Sequence, residues 1–471
     1  MEENGYSESS FGEIVDLVKQ FEDAVKSKRS VYFEEEDYEQ IIEFYQEGGE
    51  YNKALRVTES AISQYSFSSF FYTKKAEILA NQRHFDDALS ALQESEHLDP
   101  TDVNIFLIRS DIHLLQGSHS EALNEVEHAL SIAENTDDLC ELYLEMADIY
   151  EDQEKYPEVV ESLKKALEQD PQSEEALNRF WFCMELTESY EESVKFHEAL
   201  IEKSPYSHLA WYNLGHALTS LGQFEKALDA FGYVAAIDED FDGSYICSGD
   251  VLYMMERYPE ALTSYQEAIK ISKPNKELYL KTAECYGKMK EFSKARATLR
   301  KAISLDPYFD EAFFQLGENY RMEEKWLKSV HNYERAVKLN KENMEYLSAL
   351  GEAYMSVGDN EKVVEVFEKL FQSDTSNRQN WINLATAYFY VEDFRKAFHT
   401  MNEAELKFEN SADLFYIKAV FYLKAGNRHE ALLNLERGLL TNFDEHTMIF
   451  DMDDALLSDE GILQVIEQYR D

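Results

Sequence analysis

The repeat that decides the fold is clearest in residues 211–231, which read WYNLGHALTSLGQFEKALDAF. When Trp211 is counted as the fourth place of a 34-residue unit, a small residue stands at the eighth place of this unit and of every later one. The small residues of this series are Gly215, Gly249, Ala283, Gly317, Gly351, Ala385 and Ala419. A recurrence at a fixed period of this length is typical of repeat proteins, whose units bury their apolar faces against one another.

The register continues toward the N-terminus with one interruption. The eighth place falls there on Trp181, Ala147, Ser110, Ala76 and Ile42. The step from Ser110 to Ala147 is 37 residues instead of 34, and the three extra residues lie in the polar segment 134–138. Because surface connections tolerate insertions, the sequence predicts a longer loop there. Twelve units in one register therefore cover residues 35–445.

Other columns of the alignment define each unit as a pair of helices. Place 17 is aromatic and place 20 is small in most units, and apolar residues recur at places 4, 7, 8 and 11 and again at 20, 24 and 27. This is the spacing of two amphipathic helices. The seven prolines fall near helix boundaries, where a missing N–H is tolerated. They are Pro157 and Pro259 at place 18, Pro100, Pro171, Pro205 and Pro307 at place 32, and Pro274 at place 33.

These columns resemble the tetratricopeptide repeat pattern of aromatic, Leu-Gly, Tyr, Ala, aromatic, Ala and Pro. The resemblance implies an all-α fold, a right-handed α–α superhelix (solenoid) of tandem helix-turn-helix units. It also implies that the first helices line a concave groove, with places 2, 5, 6, 9, 12 and 13 pointing into it. Periodicity alone indicates only that places 2, 5, 9 and 12 share one face of the helix.

The repeats leave two short ends, which divide the chain into residues 1–34, 35–445 and 446–471. We expect an N-terminal tail with one capping helix and a C-terminal segment of capping helices, because caps shield the apolar faces of terminal repeats. The stripe of the N-terminal helix is Phe11, Ile14, Val15, Val18, Phe21 and Val25. In the fifth unit Trp181 replaces a small residue, so residues 173–207 either form a kink or repack their core.

The composition limits the kinds of partner that the chain can bind. The 471 residues include 93 Asp and Glu against 45 Lys and Arg, which gives a net charge of −48. Such a chain repels nucleic acid and anionic lipid, and no stretch is apolar enough to span a bilayer. The four cysteines are widely spaced and the first residues do not read as a secretory signal, so we expect a cytoplasmic protein with reduced thiols.

Acids dominate the predicted groove at place 9, where eight of the twelve residues are Asp or Glu. They are Glu43, Glu77, Asp111, Asp148, Asp250, Glu284, Glu318 and Glu352. Places 2, 5 and 9 contain no Lys or Arg in 36 positions. One interpretation is a groove of negative potential that attracts a basic partner segment. The other is that soluble helices of a very acidic protein favour Glu throughout, and the sequence leaves both open.

Aromatic and polar residues complete the predicted partner-binding surface. They are Tyr212, Asn213, His216, Tyr253, Phe314, Phe389, Tyr390 and Tyr416. Toward the C-terminus Thr386, Ile417, Val420 and Leu423 replace the acids of the groove. This apolar end is either an open docking site or a surface covered by residues 446–471.

Several other functions are excluded or disfavoured by the same columns. Family members that bind acidic chaperone tails use a carboxylate clamp with Lys at place 5 and Asn at place 9, and here place 9 never carries Asn and places 2 and 5 never carry Lys or Arg. We therefore predict no such clamp. The chain has no nucleotide-binding or hydrolase motif, and the histidines lack metal-ligand spacing, so we expect no cofactor, no metal and no enzymatic activity.

The sequence therefore predicts a non-enzymatic scaffold that binds a protein or peptide with basic segments. Two alternatives remain open at this point. The chain is a structural assembly subunit that associates with itself, or a regulatory module for a separately encoded enzyme. The identity of the partner, the pathway and the oligomeric state are not determined by the residues.

Overall fold

The computed structural model describes residues 8–27, 31–273 and 275–470 of the chain. Within these residues all regular secondary structure is helical, and the all-α superhelical repeat class predicted from the sequence is confirmed. The chain divides into two compact units, Met1–Glu239 and Asp240–Asp471. In its described residues, each unit contains six consecutive helix pairs.

The first unit begins with α1 (Glu8–Ser27), which precedes the six pairs. The pairs are α2 (Glu35–Glu47) with α3 (Tyr51–Gln64), α4 (Ser69–Asn81) with α5 (Phe85–Leu98), α6 (Val103–Leu115) with α7 (His119–Ile132), α8 (Thr136–Asp152) with α9 (Tyr156–Gln169), α10 (Glu174–Leu186) with α11 (Tyr190–Lys203), and α12 (His208–Ser220) with α13 (Phe224–Ile237). Pro157 lies in the first turn of α9, as its place in the repeat predicts.

The second unit continues the same register. Its pairs are α14 (Asp242–Met254) with α15 (Tyr258–Ile271), α16 (Lys276–Lys288) with α17 (Phe292–Leu305), α18 (Asp310–Arg321) with α19 (Trp326–Leu339), α20 (Met344–Val357) with α21 (Asn360–Ser373), α22 (Arg378–Tyr390) with α23 (Phe394–Lys407), and α24 (Ala412–Lys424) with α25 (Arg428–Thr441). Two 3-10 turns, Phe443–Thr447 and Asp454–Ser458, alternate with α26 (Met448–Met452) and α27 (Glu460–Gln468). Pro274 lies outside the described residues.

The turn between the two helices of each pair is built on a left-handed residue at place 15. All twelve residues at this place have a positive φ. Five of them are glycine, which adopts this conformation without steric cost, and seven are Arg, Glu or Lys. The repeated left-handed residue reverses the chain within two to four residues, which explains why the paired helices pack side by side.

Close packing inside each pair follows a size rule between places 8 and 24. A Cβ added at Gly215, Gly249, Gly317 or Gly351 would lie within 2.6 Å of the aromatic ring at place 24 of the same pair. Where place 8 is alanine, place 24 carries a smaller, unringed side chain that is also buried. These alanine pairs are Ala76–Leu92, Ala147–Leu163, Ala283–Leu299, Ala385–Met401 and Ala419–Leu435. The rule keeps the volume between the two helices nearly constant, as dense packing requires.

The three-residue insertion does not form the predicted loop. Thr136, Asp137 and Asp138 instead add a turn to the N-terminus of α8, which has 17 residues. The Asn135 side chain caps this turn by accepting a hydrogen bond from the backbone N–H of Asp138 at 2.7 Å. An Asn cap followed by two acids stabilises a helix N-terminus, so the inserted residues extend the helix.

Both ends of the repeat array are covered by packed side chains. In α1, Ile14, Val18 and Phe21 are buried against the first pair, whereas Val25 is exposed and the Phe11 side chain lies outside the described residues. At the other end the elements after α25 form one core with the last pair. That core contains Tyr416, Val420, Leu435, Leu439, Ile449, Leu456, Ile462 and Ile466. Of the two alternatives for the apolar end of the groove, the structure supports the covered surface.

The fifth pair departs from the size rule. Its place 24 is His197, which is fully buried next to Phe180, with ring centroids 5.4 Å apart. The Trp181 ring at place 8 is only partly buried and lies 5.3 Å from the His216 ring of the next pair. The tryptophan is thus accommodated by pointing between pairs. The kink predicted for residues 173–207 stays a prediction.

Candidate functional site

Five of the predicted groove residues line one cavity of about 550 Å³ in the second unit. They are Tyr253, Glu284, Phe314, Glu318 and Glu352. Four consecutive first helices, α14, α16, α18 and α20, supply them, because residues 34 apart occupy the same face of successive first helices. Glu345, which the acidic place 2 of the repeat provides, also lines the cavity. We call Asp250, Glu284, Glu318, Glu345 and Glu352 the acidic face of the second unit.

The carboxylates of this face lie close enough to raise one another's pKa. Burial raises the pKa of Glu284 above its ordinary value, and the Glu311 carboxylate adds to this shift, whereas the charges of Lys281 and Lys288 oppose it. The pKa of Glu311 is raised in turn by burial and by Asp310 and Glu345. A raised carboxyl pKa means that the negative charge is poorly solvated and lacks full compensation. A cationic group from a partner would relieve this at Glu284.

Two other acids of the same face are neutralised within the chain. Glu318 accepts from Arg321, whose Nη2 lies 2.6 Å from Oε2, and from the Tyr333 hydroxyl. Asp250 accepts from the Tyr265 hydroxyl at 2.6 Å and from Lys281 Nζ at 2.6 Å. Within the described residues Glu284 and Glu352 have no such ion pair. The acidic face therefore combines two internally paired acids, Asp250 and Glu318, with three acids, Glu284, Glu345 and Glu352, that have no ion pair among the described residues.

The acids of the first unit have similarly mixed surroundings. Glu77 pairs with Lys74 at 3.0 Å, and Asp148 pairs with Arg179 Nη2 at 2.6 Å. Burial, then Asp148 and Glu141, raise the pKa of Asp111 to about 6. Burial also raises the pKa of Glu43. The first unit thus has charged acids on its first helices, but its paired and unpaired members are spread over several helix pairs.

Glu145, a neighbour of Asp111 in the first unit, also has a raised pKa. Burial, followed by the Asp111 carboxylate, raises the pKa of Glu145 to about 7. Its Oε1 accepts a hydrogen bond from the Ser110 hydroxyl at 2.7 Å. Glu145 stands at place 6, which the sequence analysis did not examine for acids.

The predicted aromatic and polar contacts divide into accessible and buried residues. Tyr212 and His216 are partly buried, with ring centroids 4.5 Å apart, and Phe389 stacks on Phe421 at 4.2 Å. Tyr390 is 41% exposed, and its hydroxyl donates to the Met355 carbonyl.

Two predicted contact residues are wrong, because the structure removes them from the surface. Asn213 is buried, and its Nδ2 donates to the Leu177 carbonyl at 3.0 Å. Tyr416 is fully buried beneath the C-terminal elements, and its hydroxyl donates to the Asn442 carbonyl at 2.8 Å. Phe314 is 7% exposed and stacks on Tyr346 at 4.6 Å, so it forms the floor of the cavity rather than an exposed anchor.

The sequence did not predict the basic residues that lie beside the acids of place 9 in both units. Place 6 supplies Lys74, Arg179 and Lys281, place 12 supplies Arg321 and place 13 supplies Lys288. Each pairs with, or lies in the cavity beside, an acid of place 9. The signal was present in the sequence, because these columns belong to the same helix face that the family resemblance assigns to the groove.

The described residues contain neither a candidate metal site nor a helix that could span a membrane. No group of three or more His, Cys, Asp or Glu side chains that could hold a metal ion occurs in the ranges that the structure describes. Among the helices of those ranges, none combines the length and the apolar character that crossing a bilayer requires.

Comparison with protein families finds the repeat along much of the chain. Tetratricopeptide repeat models match residues 73–134, 141–173, 208–241 and 252–316. A model described as anaphase-promoting complex, cyclosome, subunit 3 matches residues 358–438.

Curated relatives match only a short part of the chain. The Hsp70-Hsp90 organising protein of Plasmodium falciparum is 31% identical over 80 residues, which is 17% of this chain and 32% of the relative. A second protein of that name, from Plasmodium falciparum isolate 3D7, is also 31% identical over 80 residues, which is 14% of its length. The matched part therefore spans less than a third of either relative.

Solved structures share the helical repeat at low identity. Yeast Tom70 is 14% identical with a TM-score of 0.39, covering 90% of this chain and 95% of that one. A peptide-binding tetratricopeptide repeat protein, YrrB, is 20% identical with a TM-score of 0.33, covering 39% of this chain and 95% of that one. MamA from Desulfovibrio magneticus RS-1 is 20% identical with a TM-score of 0.34, covering 36% and 96%.

The family assignment rests on the repeat register together with these matches. Twelve helix pairs within the described residues keep the register predicted from the sequence, and four tetratricopeptide repeat models match segments from both units. Arrays of this kind present extended surfaces for other proteins and are generally not enzymes. This chain is a tetratricopeptide repeat protein, built as a protein-interaction scaffold.

Proposed function

We propose that this scaffold has no enzymatic activity of its own and binds a basic segment of a partner protein on the acidic face of the second unit. The observation that carries the proposal is the pair Glu284 and Glu352, which line one cavity without an internal ion pair among the described residues. Glu284 is partly desolvated, so its charge gains most from a cation placed beside it. A lysine or arginine of the partner supplies that cation.

The same face supports an apolar component in the partner. Met254 and Met322 stand four residues after Asp250 and Glu318, and therefore one turn further along the same side of α14 and α18. They are 52% and 55% exposed, and Met322 lines the cavity. Tyr390 occupies the corresponding place of α22. A partner segment that alternates basic and apolar side chains fits this surface better than a purely basic one.

Direct binding of a synthetic peptide tests the proposal. The probe is a labelled, end-blocked peptide of about 14 residues with alternating Arg and Leu, titrated with the full chain at low and at high salt. We expect binding that weakens as salt rises. The double variant Glu284→Lys/Glu352→Lys should weaken it about tenfold or more, because two charges that line the same cavity change sign.

A matched control separates this site from net charge. Glu198→Lys/Glu202→Lys changes the charge by the same amount on exposed positions of α11 in the first unit. It should leave the affinity within about twofold. Equal losses in both double variants would mean that only the net charge matters and would contradict the proposed site.

Two further probes address the remaining predictions. A peptide with an acidic free C-terminus should not bind the acidic face, because the clamp residues are missing there. Sedimentation of the chain at micromolar concentration should give a monomer; a stable oligomer would favour the structural-subunit alternative. We also place the scaffold in the cytoplasm, which the free, buried thiols of Cys140, Cys183 and Cys285 support.

A further inference from the structure

A group of basic side chains stands apart from the acidic character of the chain. The second helices α17 and α19 carry four and three Lys or Arg, against no acid in α17 and only Glu334 in α19. The whole chain has 93 acids and 45 basic residues. We call the five exposed cations of these helices that have no ion pair, together with Lys341 just after α19, the basic face of the second unit. They are Arg300, Lys301, Lys328, Arg335, Lys338 and Lys341.

The members of the basic face have no internal counter-ion. Among the residues that the structure describes, none of the six has a carboxylate within ion-pair distance, whereas Lys294, Arg296, Lys362 and Lys369 nearby are all paired. Lys301, Lys328 and Arg335 instead lie over the rings of Tyr279, Tyr320 and Phe313 at 5.5, 5.6 and 5.0 Å. Unpaired cations are unexpected where acids outnumber bases two to one, since each could have been neutralised locally.

Two clefts open beside these cations, one on each side of α19. The larger, about 570 Å³, lies between α19, α20 and α21 and has an apolar floor that includes Val337, Leu347 and Val366. Lys338 and Lys341 also line it, together with Glu342 and the ion pairs Lys362–Glu334 and Lys369–Glu365. The smaller, about 340 Å³, lies between α17, α18 and α19, with Leu327 beside Arg300 and Lys328. Leu327 is 74% exposed, so apolar surface is available next to the charges.

The larger cleft is separate from the acidic cavity although both share α20. Leu347, Leu350 and Tyr354 of this helix face the cleft, whereas Glu345, Ser348 and Glu352 face the cavity. Residues three, four and seven apart lie on one side of a helix, so the two sets occupy different sides of α20. A ligand of the basic face therefore would not compete directly with one in the acidic cavity.

We infer that the basic face binds an acidic segment of a partner protein, with carboxylates on the cations and apolar side chains in the two clefts. Charge complementarity favours this occupant over the alternatives. Nucleic acid and anionic membranes would meet the six cations but also the field of a chain of net charge −48. A second copy of the chain carries the same net charge and is repelled in the same way. A segment must cross α19 to use both clefts, which requires about 10 Å and only a few residues.

A designed acidic peptide tests the inference with the full chain. The probe is an end-blocked peptide of about 14 residues in which two Leu are flanked by Glu, titrated by fluorescence anisotropy at about 50 mM and 300 mM salt. We expect saturable binding that weakens with salt. The triple variant Lys328→Glu/Lys338→Glu/Lys341→Glu should weaken it about tenfold or more, because three contacts become repulsive.

The matched control makes the same change in net charge at the same kind of position, elsewhere in the chain. Lys195→Glu/Lys203→Glu/Lys226→Glu changes three exposed lysines on the second helices α11 and α13 of the first unit. It should leave the affinity within about twofold. If both triple variants lose affinity equally, or if the wild-type chain does not bind the probe, the inference is wrong. Folding of both variants is checked by helical circular dichroism, and the milder Lys338→Gln/Lys341→Gln should give a smaller loss in the same direction.

Further arms identify the occupant and the role of the clefts. Replacing both Leu of the probe by Ser should weaken binding; unchanged affinity would contradict the seating of apolar side chains. Single-stranded DNA or vesicles containing phosphatidylserine that bind more tightly than the peptide, and lose binding in the triple variant, would overturn the choice of an acidic peptide. Self-association that disappears in the triple variant would favour a second copy. Binding of the basic probe to the acidic face should be unchanged, so the two proposals fail independently.

Discussion

The two faces of the second unit have opposite charge although they belong to the same helix pairs. The first helices carry Glu284, Glu345 and Glu352 around one cavity. The second helices α17 and α19, with Lys341 just after α19, carry the six exposed cations of the basic face beside two clefts. The helix α20 contributes to both surfaces. The difference shows that net charge describes this molecule poorly, because the repeat sorts acids and bases onto different helices within one unit.

The sorting is local rather than a property of every repeat. In the first unit α5 and α11 carry several acids, and no second helix there lacks acids as α17 does. The basic face thus depends on a few basic residues at places 19, 25, 26, 29 and 32. At place 32 four other units have proline, whereas Lys341 stands there in the ninth unit. A surface position that the fold does not need is free to acquire a binding role.

The largest expected effect comes from α20, the helix that contributes to both faces. Gly351 of α20 contacts the Phe367 ring of α21, and a Cβ there would lie 2.6 Å from it. Gly351→Ala should lower the free energy of unfolding by about 2–3 kcal/mol, because the buried ring cannot move aside freely. Urea denaturation measures this, and binding of both probes should weaken as α20 shifts.

A compensating change sharpens that prediction. The double variant Gly351→Ala/Phe367→Leu recreates the alanine–leucine pair of four other units, so its loss should be smaller than the sum of the two single losses. Gly232→Ala is the control, because nothing lies within 4 Å of the added Cβ and the change should stabilise α13 slightly. Additive losses in the double variant would contradict the size rule.

The next largest effect is expected on the stability of the first unit, through the Glu145 carboxyl. Glu145 has a pKa of about 7 in the folded chain, above the ordinary 4.5. The folded state therefore binds this proton more tightly than the unfolded state, and stability from this group is lost as pH rises from about 4.5 through 7. Glu145→Gln should raise the free energy of unfolding by about 2 kcal/mol near pH 8, with the gain vanishing near pH 4.5.

The control for this variant is an exposed carboxylate on a neighbouring second helix. Glu127→Gln should change stability by less than about 0.5 kcal/mol at either pH. If Glu145→Gln gives the same small change, or a gain that grows toward acid pH, the pKa of this carboxyl is not raised. The amide oxygen of the variant can still accept from Ser110, so loss of that hydrogen bond does not confuse the result.

The smallest effect separates the two faces by pH. Because the pKa of Glu284 is raised, lowering the pH from about 7.5 to about 5.5 should weaken binding of the basic probe about threefold. The acidic probe binds away from Glu284, so its binding should change less. Glu284→Gln should flatten the first pH dependence; an unchanged slope in this variant would assign the effect to another group.

Much of the architecture was predictable from the sequence because it repeats. The period of 34 residues, the paired helices and the glycines at places 8 and 15 all follow from columns that recur twelve times. Repetition turns weak local signals into a strong one, since each unit must satisfy the same packing against its neighbour. The acidic column at place 9 was visible for the same reason, and three of its members, Glu284, Glu318 and Glu352, do line one cavity.

The errors of the sequence analysis came from contacts between distant positions. Tyr416 occupies a groove place by register, yet the elements after α25 bury it, and Asn213 turns inward to a carbonyl of the preceding pair. Lys281 pairs with Asp250, 31 residues away in sequence. This pair was not predicted because the basic residues at place 6 were not considered. The place in the repeat predicts from which face of the helix a side chain projects. It does not predict whether later elements bury that side chain or whether a Lys or Arg of another helix pairs with it.

The sequence by itself determined the repeat, the helical class and the position of most acids, because these depend on local periodicity and composition. Only the tertiary structure decided which charges are free. The long side chains of Arg179 and Lys281 reach acids on the first helix of the preceding pair. Arg300 and Lys301 of α17 and the three cations of α19 find no acid within ion-pair distance among the described residues. Whether a charge is paired depends on distances between helices, and those distances are set by the packing of one pair upon the next.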